Sequence, residues 1–203
     1  MRRKLKIICF GASTGGTQAL THIFSHWKGV AFHVPIVVVV HLPAAFSGIQ
    51  AQHLQELCGI PAHEAETGMV LQAGHIYVAP GGHHLCFNRK EEVIVAELTK
   101  TEPVNFCRPA VDVTLDSLVP LYGEGIAAVI LTGMGQDGAA GAKQVEDAGG
   151  RVFVQERKSC AVWGMPRAAL ELCPRAREQG LSDIADSLYL LNASAQEAKG
   201  DKS

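Results

Sequence analysis

The chain has 203 residues, of which 47% are hydrophobic and 19% are charged, and its formal net charge is −2. This length and composition are typical of one globular domain with a sizeable core. The near-neutral charge argues against a strongly basic nucleic-acid or anionic-lipid binder, and no apolar run is long enough for a transmembrane helix. We therefore expect neither nucleic acid nor membrane insertion among its interactions.

The six cysteines indicate free thiols in a reducing compartment. None forms a C-x-x-C pair and several lie inside apolar runs, so a disulfide framework is not predicted. The apolar stretch behind the basic N-terminus stops at Gly11, which is too short for a secretory signal. The adjacent His83 and His84 lack the spacing of a helical metal site. We expect a cytoplasmic protein without a structural metal.

The first half of the chain alternates between strand and helix patterns. Apolar runs predict strands at residues 5–10, 35–40, 62–64, 75–80, 84–87 and 93–96. Helical periodicity predicts helices at 17–27 and 47–58, the second with Ser47 as its N-cap. The strands at 84–87 and 93–96 flank a polar turn and are expected to add an antiparallel section to the sheet.

The second half continues the alternation after residues 98–109, which predict a long surface loop of the kind that lines sites. Further elements are expected as helices at 111–121, 139–147, 167–173 and 182–191 and as strands at 125–132 and 151–155. The pattern predicts an α/β fold: a doubly wound, mainly parallel sheet with helices on both faces and a short antiparallel section. Residues 1–193 are expected to form one domain, and residues 194–203 a polar, disordered tail.

Three polar residues follow three of the apolar strands. Ser13 lies in G-A-S-T-G at 11–15, a G-x-S-x-G pattern that holds a serine hydroxyl exposed on a strand-to-helix turn. His41 directly follows the second strand, and Asp137 lies in the glycine-rich loop after the strand at 125–132. Because parallel strands end at one edge of a sheet, we expect these side chains to meet there. They are the three residue types that the nucleophile, base and orienting group of a serine hydrolase require.

Other interpretations stay open on these residues alone. Ser13 and Asp137 could each be a plain N-cap of the helix that follows, and His41 could serve only its own loop. The glycines of residues 11–16 would also suit a pyrophosphate, although that fingerprint requires an acidic residue where His41 stands. A non-catalytic module that keeps the fold and binds a partner is the remaining alternative. The chain order Ser-His-Asp already differs from that of the α/β-hydrolases.

Six blocks in register carry a more specific signal. They read G-A-S-T-G-G at 11–16, V-V-H-L-P at 39–43, Y-V-A-P-G at 77–81, R-P-A-V-D at 108–112, I-L-T-G-M-G-Q-D-G-A-A-G at 130–141 and G-M-P-R at 164–167. Together they resemble the catalytic domain of the chemotaxis protein-glutamate methylesterase (CheB) family over about residues 5–193. The resemblance implies hydrolysis of glutamate γ-methyl esters on the cytoplasmic helices of methyl-accepting chemoreceptors. In many members, particular receptor glutamines are also deamidated.

The resemblance also assigns roles. It places the catalytic groups on Ser13, His41 and Asp137, and the oxyanion contacts on Thr14 and the N–H of Met134, and it implies no cofactor. Two features depart from the family pattern. Ser13 lies too near the start of the sequence for the usual receiver domain to precede it, so we expect a stand-alone catalytic domain or a piece of a longer protein. Cys107 stands where the family pattern has a histidine.

Overall fold

The computed structural model describes residues 4–200, with side chains for residues 4–194. Nine strands lie in this part of the chain: β1 (Ile7–Ala12), β2 (Ile36–Val40), β3 (Ala62–Glu64), β4 (Ile76–Val78), β5 (His84–Lys90), β6 (Val93–Thr99), β7 (Ile126–Ile130), β8 (Arg151–Gln155) and β9 (Arg177–Gln179). Its six α-helices are α1 (Gly16–Ser25), α2 (Ala44–Cys58), α3 (Val111–Tyr122), α4 (Ala139–Asp147), α5 (Gly164–Leu172) and α6 (Leu181–Gly200).

Seven strands form one parallel sheet in the order β3-β4-β2-β1-β7-β8-β9. The central strand, β1, pairs with β2 on one side and β7 on the other, so the strand order reverses beside it. In register, Ala12 lies beside Val40, and Gly11 lies beside Ile130. The segments that follow β1, β2 and β7 therefore emerge side by side at one edge, where α/β sheets usually bind ligands.

Alternate side chains of the central strands supply two cores, one on each face of the sheet. Ile8 and Phe10 pack with residues of α1, α2 and α6, whereas Ile7 and Cys9 pack with residues of α3, α4 and α5. Burial on both faces explains why β1 and β2 are apolar throughout. The predicted doubly wound α/β fold is confirmed.

The structure corrects several predicted details. β5 and β6 pair in a separate two-stranded antiparallel sheet, packed against α3, and do not extend the main sheet. Ser47 is not the N-cap of α2, because that helix begins at Ala44 after Pro43. Its buried hydroxyl instead donates to the carboxylate of Glu64 in β3. β9 was not predicted, since its residues are polar and carry no apolar pattern.

The C-terminal helix is longer than predicted. α6 continues to Gly200 where the sequence predicts an end at residue 191, and the added residues include alanine, glutamine, glutamate and lysine, which are good helix formers. Residues 201–203 and the side chains of 195–200 lie outside the described part, so the disorder expected for residues 194–203 stays a prediction. Among the described helices, none combines the length and apolarity needed to cross a membrane.

Candidate active site

Ser13 lies in the turn between β1 and α1. Its N–H donates to the carbonyl of Thr132 at 3.0 Å, and its own carbonyl accepts from the N–H of Gly16 at 2.7 Å. The N-cap of α1 is Gly15, not Ser13, so the simple capping interpretation of the serine is wrong. Gly15 has a φ of +81°, and a Cβ added there would lie 2.6 Å from the Cβ of Ala161. The last position of the G-x-S-x-G pattern therefore requires glycine, because of its positive φ and the lack of room for a Cβ.

His41 follows β2 directly beside the serine turn, and its backbone N–H donates to the carbonyl of Ala12 at 3.1 Å. The imidazole is largely buried, with 13% of the side chain exposed. Its Nε2 lies 2.7 Å from Oδ2 of Asp137, and its Nδ1 lies 3.4 Å from Sγ of Cys107. Asp137 is thus the partner of one ring nitrogen, and Cys107 is the neighbour of the other, Nδ1.

The carboxylate of Asp137 is buried and surrounded by donors. Besides Nε2 of His41, Oδ2 accepts from the N–H of Val111 at 2.7 Å. Oδ1 accepts from the N–H of Asp112 at 3.1 Å and from Nδ2 of Asn105 at 3.4 Å. Since Val111 and Asp112 begin α3, the carboxylate caps that helix from a distant part of the chain.

This arrangement keeps Asp137 charged. Burial by itself raises the pKa of its carboxyl, but the hydrogen bonds from His41, Val111 and Asp112 outweigh burial and hold the pKa below its usual value. The cap of the following helix, α4, is Gly138, so the alternative that Asp137 only caps α4 is wrong. An ionised Asp137 keeps the proton of the neutral imidazole on Nε2, and Nδ1 is then a hydrogen-bond acceptor.

The two predicted oxyanion residues lie on the two segments that meet at the serine. Thr14 follows Ser13, and Met134 follows Gly133, which packs so closely that an added Cβ would lie 2.8 Å from the Cβ of Ser13. Within residues 4–194, the N–H groups of Thr14 and Met134 donate no hydrogen bond. Two unpaired donors therefore lie on segments that meet at the serine, which is the type of arrangement that holds an oxyanion.

Asn105 is a site residue that sequence reasoning missed. Val104 and Cys107 exchange backbone hydrogen bonds of 3.1 and 2.9 Å across a two-residue turn, in which Asn105 and Phe106 both have positive φ. The turn directs the Asn105 amide onto Asp112 Oδ2 at 2.8 Å and onto Asp137, and it leaves the Phe106 side chain fully exposed. The tolerance of asparagine for left-handed backbone was the available signal.

One of the two hydrogen bonds of the predicted relay is present in the structure. The Asp137–His41 hydrogen bond is present, but the Ser13 hydroxyl has no hydrogen-bond partner anywhere in residues 4–194. Catalytic contacts are often long in unliganded enzymes and tighten only with substrate. A cleft of about 420 Å³ opens nearby, lined in part by Asn105, Phe106 and Gln136.

Comparison with known proteins identifies the family. The family model described as CheB methylesterase matches residues 8–188. The chain belongs to the CheB methylesterase family. A solved structure, the CheB methylesterase catalytic domain of Thermotoga maritima, superimposes with a TM-score of 0.86 at 36% identity, covering 93% of this chain and 99% of that one. The resemblance carried by the six sequence blocks is thus confirmed.

Curated CheB relatives are longer than this chain. The protein-glutamate methylesterase/protein-glutamine glutaminase of Rhodopseudomonas palustris is 44% identical over 186 residues, which are 92% of this chain and 48% of the relative. The protein of the same name from Trichodesmium erythraeum is 39% identical over 194 residues, 96% of this chain and 52% of the relative. The chain therefore spans about half the length of these relatives.

Gly133→Ala is expected to lower the rate of a CheB-type reaction by about 100-fold, because the added methyl would displace the serine turn. The new Cβ would overlap Sδ of Met165 and the Cβ of Ser13. Gly48→Ala is the matched control, since its Cβ would meet only the Glu64 carboxylate, at 3.4 Å. Steady-state ester hydrolysis by both variants measures the difference, and equal rates would contradict the close packing at Gly133.

Asp137→Asn is expected to destabilise the fold by about 1–3 kcal/mol at pH 7, because it removes the charge from a buried acceptor. The folded pKa lies below the unfolded value of about 4, so the stabilisation is complete above pH 4 and is lost as the pH falls through the folded pKa. Urea unfolding at pH 7 and pH 3 measures the free energy of unfolding of both proteins. The difference between wild type and variant should be smaller at pH 3 than at pH 7.

The neighbouring Asp112 provides the control for that measurement. The pKa of its carboxyl is raised, chiefly by burial. Ionisation of Asp112 therefore does not stabilise the fold. Asp112→Asn should therefore lose less stability at pH 7 than Asp137→Asn. If Asp137→Asn lowered the free energy of unfolding equally at both pH values, the charge of Asp137 would not be what stabilises the fold.

Proposed function

We propose that this chain hydrolyses glutamate γ-methyl esters on the cytoplasmic helices of methyl-accepting chemoreceptors and deamidates particular receptor glutamines. The observation that carries this proposal is the 2.7 Å bond between His41 and Asp137, beside the serine of the G-x-S-x-G turn. Membership of the CheB family supports it, and the names of the curated relatives include both activities.

In the proposed first step, the Ser13 hydroxyl attacks the ester carbonyl and His41 takes its proton. Because Nε2 is bonded to Asp137, the accepting nitrogen is Nδ1, so the two ring nitrogens exchange the roles that they have in chymotrypsin. The serine hydroxyl turns toward Nδ1 when substrate binds. The ionised Asp137 stabilises the imidazolium that forms.

The tetrahedral intermediate places a negative charge on the former carbonyl oxygen. The unpaired N–H groups of Thr14 and Met134 are the donors proposed to hold it. One such donor typically contributes about 3 kcal/mol to the transition state. Both donors are backbone groups that follow anchored residues, since the N–H of Ser13 donates to Thr132 and that of Gly133 donates to Val162, so little reorganisation is needed as the charge develops.

The second half returns the enzyme to its starting state. His41 gives its proton to the methoxide, methanol leaves, and an acyl group remains on Ser13. Water then attacks the acyl-enzyme with His41 again as base, releasing the free glutamate. A glutamine side chain follows the same path with ammonia as the leaving group, and no step requires a cofactor.

Exposed apolar side chains support a protein substrate. Phe106 lines the cleft and is fully exposed, while Met134 and Phe46 are 75% and 53% exposed on the segments that follow β7 and β2. Exposed apolar side chains of this kind fit the apolar positions of an amphipathic helix better than they fit a small polar ester. A receptor helix as substrate implies that the enzyme acts in the cytoplasm.

Methanol release from receptor-containing membranes with radiolabelled methyl esters tests the proposal. We expect the purified chain to release labelled methanol catalytically, whereas unmethylated membranes should give none. The remaining alternative is a non-catalytic partner-binding module, which is favoured by the missing bond between Ser13 and His41. Binding to the membranes without methanol release would support that alternative and overturn the esterase.

A further inference from the structure

We propose that Cys107 and His41 form an inhibitory binding site for Zn²⁺ at the histidine of the candidate relay. Binding of the ion depends only on these side chains, whereas the inhibition rests on the proposed function. Sγ of Cys107, a nitrogen of His41 and an oxygen of Asp137 all lie within 4.8 Å of one another. Cysteine sulfur and histidine nitrogen, the two ligands proposed here, are both ligand types of zinc sites.

The distance between the two ligand atoms fits a tetrahedral ion. Sγ of Cys107 and Nδ1 of His41 are 3.4 Å apart. Zinc bonds of about 2.3 Å to sulfur and about 2.1 Å to nitrogen, at a tetrahedral angle, require a separation of about 3.6 Å. The ion can therefore replace the present S···N contact with a shift of only a few tenths of an ångström.

Asp137 orients the His41 ring so that Nδ1 faces Cys107. Its oxygens already accept from His41, Val111, Asp112 and Asn105, so it is not offered as a ligand of the ion. Metal-binding histidines usually donate their second ring N–H to such a carboxylate, which fixes the ring and directs the other nitrogen at the metal. The bond from Nε2 to Asp137 provides this support.

The choice of ion follows from the ligands. Thiolate and imidazole together favour zinc and softer cations over Mg²⁺ and Ca²⁺, which prefer oxygen. On binding, the S–H bond of Cys107 breaks, its electron pair forms the S–Zn bond, and the proton goes to solvent. No oxidant or reductant is needed, and water completes the coordination.

Inhibition follows because the ion uses the same lone pair as the proposed reaction. Nδ1 of His41 must accept the Ser13 proton, and it cannot do so while it is bonded to a metal. Two protein ligands hold an ion less firmly than the four of a structural site, so the inhibition should be reversible by a chelator.

Cobalt titration tests the binding without any assay of activity. We expect Co²⁺ to produce a thiolate-to-metal charge-transfer absorption in the near ultraviolet at one equivalent, and Zn²⁺ to displace it. Cys107→Ala and Cys107→Ser should both lose the absorption. Cys86→Ala, which removes another half-buried thiol, on β5, should retain it. An absorption that persists in both Cys107 variants, or is absent from wild type, would overturn the site.

Activity measurements then test the inhibition. Each protein is assayed with Zn²⁺, with Mg²⁺ and with Zn²⁺ followed by chelator, and each rate is divided by the same protein's metal-free rate. We expect at least a tenfold higher half-inhibitory Zn²⁺ concentration for Cys107→Ala than for wild type and for Cys86→Ala. Equal concentrations would overturn the inhibition. A wild type without any ester hydrolysis would overturn the proposed function and its inhibition together, and the cobalt titration would still decide the metal site.

Discussion

Replacing Ser13 with alanine is expected to lower kcat for ester hydrolysis by about 10⁶-fold, the loss typical of removing the nucleophile of a serine hydrolase. The variant keeps the unpaired N–H groups of Thr14 and Met134, so a small residual rate above the uncatalysed reaction should remain. Substrate affinity should change little, because the hydroxyl has no hydrogen-bond partner among residues 4–194. Methanol release under saturating receptor membranes measures the effect.

Ser25→Ala is the matched control for this experiment. Ser25 ends the helix that Ser13 precedes, and its exposed hydroxyl donates only to the carbonyl of Thr21, at 2.7 Å. The control should hydrolyse the ester at the wild-type rate. If Ser13→Ala kept a rate within tenfold of wild type, another group would have to be the nucleophile.

Replacing Asp137 with asparagine is expected to lower kcat by about 10⁴-fold, as in other triads. An amide NH₂ placed against Nε2 of His41 would force the ring proton onto Nδ1. The nitrogen proposed to take the serine proton would then be a donor and could no longer act as the base. Steady-state kinetics at pH 7, with circular dichroism to establish that the variant is folded, provides the measurement.

Asp112→Asn separates this effect from a general loss of charge near the histidine. Asp112 accepts from the N–H of Gly141 and from Asn105, but it does not contact the imidazole. Its substitution should therefore reduce kcat much less than Asp137→Asn. A rate for Asp137→Asn within tenfold of wild type would leave Asp137 with only its structural role as the cap of α3.

The sequence was sufficient to predict which strands are central and which residues follow them. Unbroken apolar runs identify β1, β2 and β7 because both faces of these strands are buried. Since parallel strands end at the same edge, the meeting of His41 and Asp137 could be predicted from their positions after those strands. That inference needed no knowledge of side-chain contacts.

The remaining details depend on contacts between distant segments. Asp137 precedes α4 and yet caps α3, because the loop after β7 brings its carboxylate to Val111. Asn105 reaches the site only because a two-residue turn reverses the loop before α3. Ser47 is a residue type that often caps helices, but it lies inside the first turn of α2. Its hydroxyl donates instead to Glu64, which the fold brings close to it. No local pattern encodes these pairings.

Labelling with a fluorophosphonate probe tests most directly whether His41 activates Ser13. We expect mass spectrometry to find one adduct on the wild-type chain, in the peptide that contains Ser13. The adduct should be lost in Ser13→Ala, and in His41→Ala it should form far more slowly. A folded wild-type chain that remains unlabelled at Ser13, or a His41→Ala variant that is labelled as fast as wild type, would contradict the proposed relay.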